Sequence, residues 1–248
     1  MWRRGLHRLH ADLPPVPLAG RVDAGAVAIP LVAAVCFILV QYEGSVGAWP
    51  AAAGHFPPAG RLAPIAAHLY WFGASLLFYG VVPLAALVLL REPLGEYGLG
   101  PGRWRLGLSV AVFFIAVMLP VVLAVSRSAA FASHYPLARP AGQSLGLFVP
   151  FELGYAAYFV AWEHVFRSFL LFGLYRRVGL HAVYLQTLPF VLLHFGKPEL
   201  EALASVLAGV GLGYLALHAR SFWWGTLVHT AVALAMDLAT SWRSLAGV

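Results

Sequence analysis

Three short stretches of this 248-residue chain hold side chains able to exchange protons or bind metal, set inside apolar surroundings where such groups are costly. In WEHVFRS, Glu163 and Arg167 stand four residues apart, about 40° around a helix, so a carboxylate and a guanidinium can meet on one face. In FVLLHFGKP, His194 closes an apolar turn begun by Phe190, with Gly196 and Pro198 following. In GTLVHTAVALAMD, His229 precedes Asp237 by about two turns. Carboxylates and imidazoles suit acid–base catalysis and proton relay. They are also the ligand types of catalytic zinc, for which Glu163, His194 and His229 would leave one position to water. Each element has a structural reading too: an ion pair for Glu163 and Arg167, an interhelical hydrogen bond for either histidine. The residues establish the carboxylate, the imidazoles and the pairing, not the reaction.

Composition dictates what must position these groups. The chain is 61% hydrophobic and 10% charged, against roughly 45–50% and about 25% in a soluble domain. That excludes a water-soluble globule and a disordered chain, and the single Cys36 excludes a disulfide scaffold. The net charge of +6 comes from fifteen Arg and Lys197, spread between the apolar runs, so nucleic-acid binding has no footprint. The expectation is an all-α, multi-pass transmembrane bundle of about seven helices, with crossings near 24–42, 64–90, 106–125, 145–175, 180–196, 202–219 and 222–240. Residues 1–23 read as a basic cytoplasmic or interfacial tail without a cleavable signal, 24–143 as N-terminal membrane helices, and 144–241 as a C-terminal core of four helices. Ten basic residues fall on the side of the N-terminus and five on the other, which predicts a cytoplasmic N-terminus in a cell membrane. The Arg-rich composition suggests a bacterial cytoplasmic membrane. REPLGEYGLGPGRWR, between the second and third crossings, reads as a short interfacial loop. The fourth run is too long for a simple span, so it tilts, breaks near Gly154 or protrudes.

Ionisable residues are distributed unevenly. The first and third crossings have none inside and the second only His68, whereas the last four hold Glu152, Glu163, His164, Arg167, His194, His229 and Asp237. Counted from the turn near residue 178, Glu163 and His194 each lie about fifteen residues away, or ~22 Å along their helices, so they can meet. His229 is only about nine residues from the next turn on that side and reaches the same level only if its helix is shifted, tilted or preceded by a re-entrant stretch. Glu152 returns to nearly the same face as Glu163 three turns earlier, and His164 points about 100° away. Ser205, Gly209 and Gly213 recur every four residues and give α-helical packing a small face.

At these residues the chain resembles the CPBP family, also called the ABI or type II CAAX prenyl endopeptidase family of intramembrane proteases, over approximately 145–240. The family pattern is Glu-Glu-x-x-x-Arg, then Phe-x-x-x-His, then His-x-x-x-Asn on separate helices. Here it is met by Glu163, His164 and Arg167, by Phe190 and His194, and by His229 and Ala233. The second glutamate is replaced by His164 and the asparagine by Ala233, which puts any role of those two groups in doubt. The resemblance implies that Glu163 activates water for attack on a peptide carbonyl, that His194 holds the water and shuttles its proton, and that His229 donates to the oxyanion. Arg167 then orients the glutamate, with His164 beside it as a supporting residue. The resemblance admits both a metalloprotease, with Glu163, His194 and His229 as zinc ligands, and a glutamate protease without bound metal; the metal-free version is the expectation, and no other cofactor is implied.

The reading is thus a hydrolase cleaving a membrane-anchored protein or peptide near its C-terminal tail, with the lipid bilayer as its other partner. Oligomeric state stays open. Two alternatives belong to other classes: a non-enzymatic scaffold of the bacteriocin-immunity type, and a proton-coupled transporter, for which intramembrane Glu, His and Asp are equally suited.

Overall fold

The computed structural model describes residues 23–54 and 60–247, so the tail before Asp23 lies outside the described residues. Seven long helices are seen among them: α1 Ala24–Tyr42, α2 Ala63–Leu89, α3 Trp104–Val125, α4 Leu145–Val178, α5 His181–Leu192, α6 Glu199–Ala219 and α7 Trp223–Ala246. No strand occurs among the described residues. Five helices, α1 to α4 and α6, are long and apolar enough to cross a membrane. The protein is an all-α, multi-pass membrane bundle. Helix α5, with 12 residues, is only ~18 Å long, shorter than the expected crossing and short of a ~30 Å hydrocarbon layer.

Helix α4 is the axis. Its 34 residues neither break at Gly154 nor follow one α-helical ladder throughout; from His164 to Leu170 the turns widen to π geometry. Residues 161–174 of this rod are all buried. Its outer half meets α2 through aromatic faces: Phe72 stacks on Tyr155 at 5.2 Å, and Trp71 lies 4.7 Å from Tyr158. Helix α3, by contrast, turns most of its surface outward, with Phe113 65% and Leu123 60% exposed, as a lipid-facing span would. The small face of α6 packs against α5, where a methyl at Gly209 would sit 2.6 Å from Thr187 and where Gln186 Nε2 donates to the Gly209 carbonyl at 2.9 Å.

The connection read as an interfacial loop is instead tucked under the α6–α7 turn. Ser168, ten residues before the end of α4, donates to the Tyr97 carbonyl at 2.6 Å. Phe222 N donates to Gly98 O at 3.2 Å, Arg103 N to Ala219 O at 2.7 Å, and the Trp223 and Trp224 indoles to Leu99 O and Pro101 O at 2.8 and 3.0 Å. The α6–α7 turn therefore lies level with Ser168, ~15 Å short of the end of α4. Residues 94–103 fill the space beneath it, which satisfies backbone groups that would otherwise be stranded at depth. Gly102 is indispensable to this fit: its φ is +56° and a Cβ there would lie 2.0 Å from the Ala219 carbonyl.

Ionic contacts fasten that end. Glu92 accepts from Arg176 at 2.8 Å, from Arg177, and from the Tyr97 hydroxyl at 2.9 Å; Arg177 also reaches Asp23 at 2.7 Å, and Arg176 reaches Glu96 at 3.0 Å. Burial pushes the Tyr97 hydroxyl up to about 12, so it remains a donor. The Arg177 guanidinium holds the Asp23 carboxyl below the usual aspartate range.

Candidate active site

The widened turns of α4 begin directly after Glu163, a position where such bulges often mark function. Glu163 is fully buried, and both of its oxygens face charge or a donor. Oε1 lies 2.8 Å from His229 Nδ1, and Oε2 lies 3.3 Å from Arg167 Nε. A carboxylate oxygen only accepts, so His229 Nδ1 carries the proton and Nε2 is left for a second partner. The depth problem posed by His229 is thereby resolved by the raised α6–α7 turn: α7 starts well inside the bundle, and six residues from Trp223 suffice to bring His229 level with Glu163.

Arg167 is 0% exposed, and none of its guanidinium nitrogens has a hydrogen-bond partner among the described residues. Its compensation is the Glu163 carboxylate and the face of Phe190, 4.1 Å from the guanidinium carbon to the ring centroid. Phe190 has a second function through its backbone. His194 Nδ1 lies 2.7 Å from the Phe190 carbonyl, which must be the acceptor, so this ring too directs Nε2 away from its own helix. The four-residue spacing from Phe190 to His194 thus supports the arginine and orients the imidazole.

His194 and His229 lie with ring centroids 6.4 Å apart and planes 14° from parallel. Phe159 stacks on His229 at 4.4 Å, and Trp162 sets its edge against both imidazoles, at 5.8 and 6.4 Å. These apolar walls lower the local dielectric and strengthen each polar contact within. The turn after His194 is locked by Lys197, which donates to the Tyr135 hydroxyl at 3.0 Å and pairs with Glu201 at 3.5 Å; that hydroxyl donates to Glu201 at 2.7 Å. Burial raises the Tyr135 pKa well above the usual phenol value, which keeps the donor protonated.

The structure brings together Glu163, Arg167, His194 and His229 and leaves His164 outside the group. His164 turns to α2, where its Nδ1 donates to the Tyr79 carbonyl at 2.9 Å. That carbonyl would ordinarily accept from residue 83, but Pro83 has no N–H, so the histidine satisfies an orphaned acceptor. His164, expected beside Glu163 as a supporting residue, thus lies against α2 as a brace between helices. Ala233 is 5% exposed and contributes a methyl where the asparagine of the motif would stand. Glu152 and Asp237 face each other nearer the other end of the bundle, apart from the Glu163 cluster, with Asp237 Oδ1 accepting from Leu137 N at 3.3 Å.

Of the two oxygens of Glu163, one accepts from His229 and the other stands 3.3 Å from the buried Arg167 guanidinium, whose charge opposes a cation beside it. Gly225 is a functional position that the motif search missed. A Cβ there would stand 2.7 Å from Glu163 Oε2, so the absence of a side chain lets the carboxylate approach the backbone of α7. The available signal was its place one helical turn before His229 in GTLVH.

No curated protein and no solved structure matches the chain. Residues 144–235, which include α5, α6 and the polar cluster, match the family model described as type II CAAX prenyl endopeptidase Rce1-like. By that match, and as the three motifs implied, the region carrying Glu163, His194 and His229 is similar to the CAAX-type family of intramembrane proteases.

Proposed function

We propose that the protein is an intramembrane endopeptidase that cleaves a membrane-anchored protein or peptide near its C-terminal tail, with Glu163 as the general base. The contact between Glu163 and His229 at 2.8 Å, buried beside Arg167 and facing His194, is the observation that carries this reading. Glu163 removes a proton from water as its oxygen attacks the scissile carbonyl. His194 Nε2 accepts a hydrogen bond from that water, takes over the proton that Glu163 removed and passes it to the departing amine, which returns Glu163 to its ionised form. In its imidazolium form His229 keeps Nδ1–H on Glu163 and offers Nε2–H to the oxyanion, while Arg167 keeps the glutamate in place. The chemistry proceeds without direct metal ligation by this set.

The test compares C-terminal peptides of membrane proteins by mass spectrometry, between cells making the native protein and cells making E163Q. The expected result is that a set of processed C-termini disappears in E163Q while the protein still accumulates folded in the membrane, with a melting temperature lowered because Arg167 loses its counter-charge. Unchanged processing by E163Q removes Glu163 from the base role, and processing that stops with a metal chelator overturns the metal-free assignment.

A further inference from the structure

At the end of the bundle opposite the Glu92 network, a cleft of about 540 Å³ opens where the end of α3, the connection to α4 and the last turns of α7 meet. Its walls include Leu123, Arg127, Tyr135, Arg139, Trp242 and Arg243. The volume falls within the ~300–1,000 Å³ of ordinary ligand sites. Three guanidiniums surround one cavity, and none of them forms an ion pair among the described residues. The neighbouring acids do not neutralise them: Glu201 is held by Tyr135 and Lys197, and Asp237 is fully buried.

We propose that this cleft binds the phosphate of an anionic phospholipid headgroup. Arg presents a planar fork of donors that matches phosphate oxygens, and clustered arginines at a membrane surface attract anionic lipid. Two features select a lipid over a soluble anion. Leu123 belongs both to the cleft wall and to the outward face of α3, where it is 60% exposed, so the cleft is continuous with the surface that acyl chains cover. Trp242, 64% exposed on the rim, is the amphipathic ring expected at headgroup level. The occupant therefore has a negative head for the arginines and an apolar tail lying along α3. This site is independent of the proposed peptidase chemistry.

The experiment uses the full chain, stripped of lipid in a neutral detergent, and native mass spectrometry with four probes: dioleoylphosphatidylglycerol, dioleoylphosphatidylcholine, inorganic phosphate and a short peptide with a free C-terminal carboxylate. Phosphatidylglycerol is expected to bind about tenfold more tightly than phosphatidylcholine, with inorganic phosphate a poor competitor. Each of R127Q, R139Q and R243Q should weaken that binding about fivefold and the triple variant on the order of a hundredfold, while R220Q, at the other end of the bundle, leaves it unchanged. The single variants keep the test decisive if the triple variant does not fold. Equal binding of the two lipids, or full binding by the triple variant, overturns the proposal. Displacement of the lipid by equimolar phosphate assigns the cleft to a soluble anion, and displacement by a peptide with a free C-terminal carboxylate assigns it to a protein tail; either result refutes the lipid assignment.

Discussion

Replacing Gly225 by Ala separates stability from activity at this site, because one methyl acts on each in opposite senses. Gly225 is the third residue of α7, in its first turn, so the change to Ala should by itself stabilise that helix slightly, by at most roughly 0.5–1 kcal/mol. The added Cβ, however, would stand 2.7 Å from Glu163 Oε2, and ordinary contact begins near 3.4 Å. The carboxylate must retreat by about 0.7 Å, since the opposing surface is helix backbone. It cannot swing freely, because Arg167 and His229 hold its two oxygens at 3.3 and 2.8 Å. A displacement approaching 1 Å at a reacting group costs up to about a hundredfold in rate, so G225A should lose roughly 10- to 100-fold in kcat. The assay is peptide cleavage by the purified protein in lipid nanodiscs, alongside a melting curve. A melting temperature within a few degrees of native together with the rate loss is the expected pair. Native kcat with an intact fold would show that the carboxylate need not stand where this structure places it, and the geometric argument for Glu163 would fail.

Two further substitutions probe the supports. F190L keeps an apolar side chain but removes the ring beneath Arg167, and should cost about 1–2 kcal/mol in a denaturant titration, with activity falling as Glu163 loses its anchored partner; an unchanged midpoint would mean that the ring contributes nothing to holding the buried cation. G102A should destabilise the fold by several kcal/mol, through its φ of +56° and a Cβ 2.0 Å from Ala219 O, whereas G100A, with open space around it, should be close to neutral by the same melting assay. Equal behaviour of those two variants would contradict the close packing of the loop under the α6–α7 turn.

The order and type of the helices could be read from apolar run lengths, because a bilayer leaves a spanning chain few alternatives. The exceptions have physical causes. Helix α5 ends at Leu192 because the chain turns back beside the site at His194, and the 12-residue helix is extended in sequence only by the apolar turn that follows. The convergence of Glu163, His194 and His229 was legible from motif order, while the separation of His164 was not. Its direction depends on Pro83, eighty-one residues earlier, which leaves a carbonyl unpaired on a helix whose proximity no local pattern encodes. The same holds for Gly225, whose importance comes from a carboxylate on another helix.

The level of His229 shows how far from the chemistry its determinants can lie. Nothing in GTLVHTAVALAMD sets that level; it follows from where α7 begins, and α7 begins deep because residues 94–103 occupy the space below. Those residues can remain there only because their carbonyls meet the Trp223 and Trp224 indoles, Phe222 N and the Ser168 hydroxyl, and because Gly102 admits the Ala219 carbonyl. If the connection lay on the membrane surface, as its Gly and Pro content alone suggests, the α6–α7 turn would drop toward the end of α4 and His229 would fall some two to three helical turns, about 15 Å, below Glu163. The 2.8 Å contact between the two residues is therefore as much a property of the loop as of either helix that carries them.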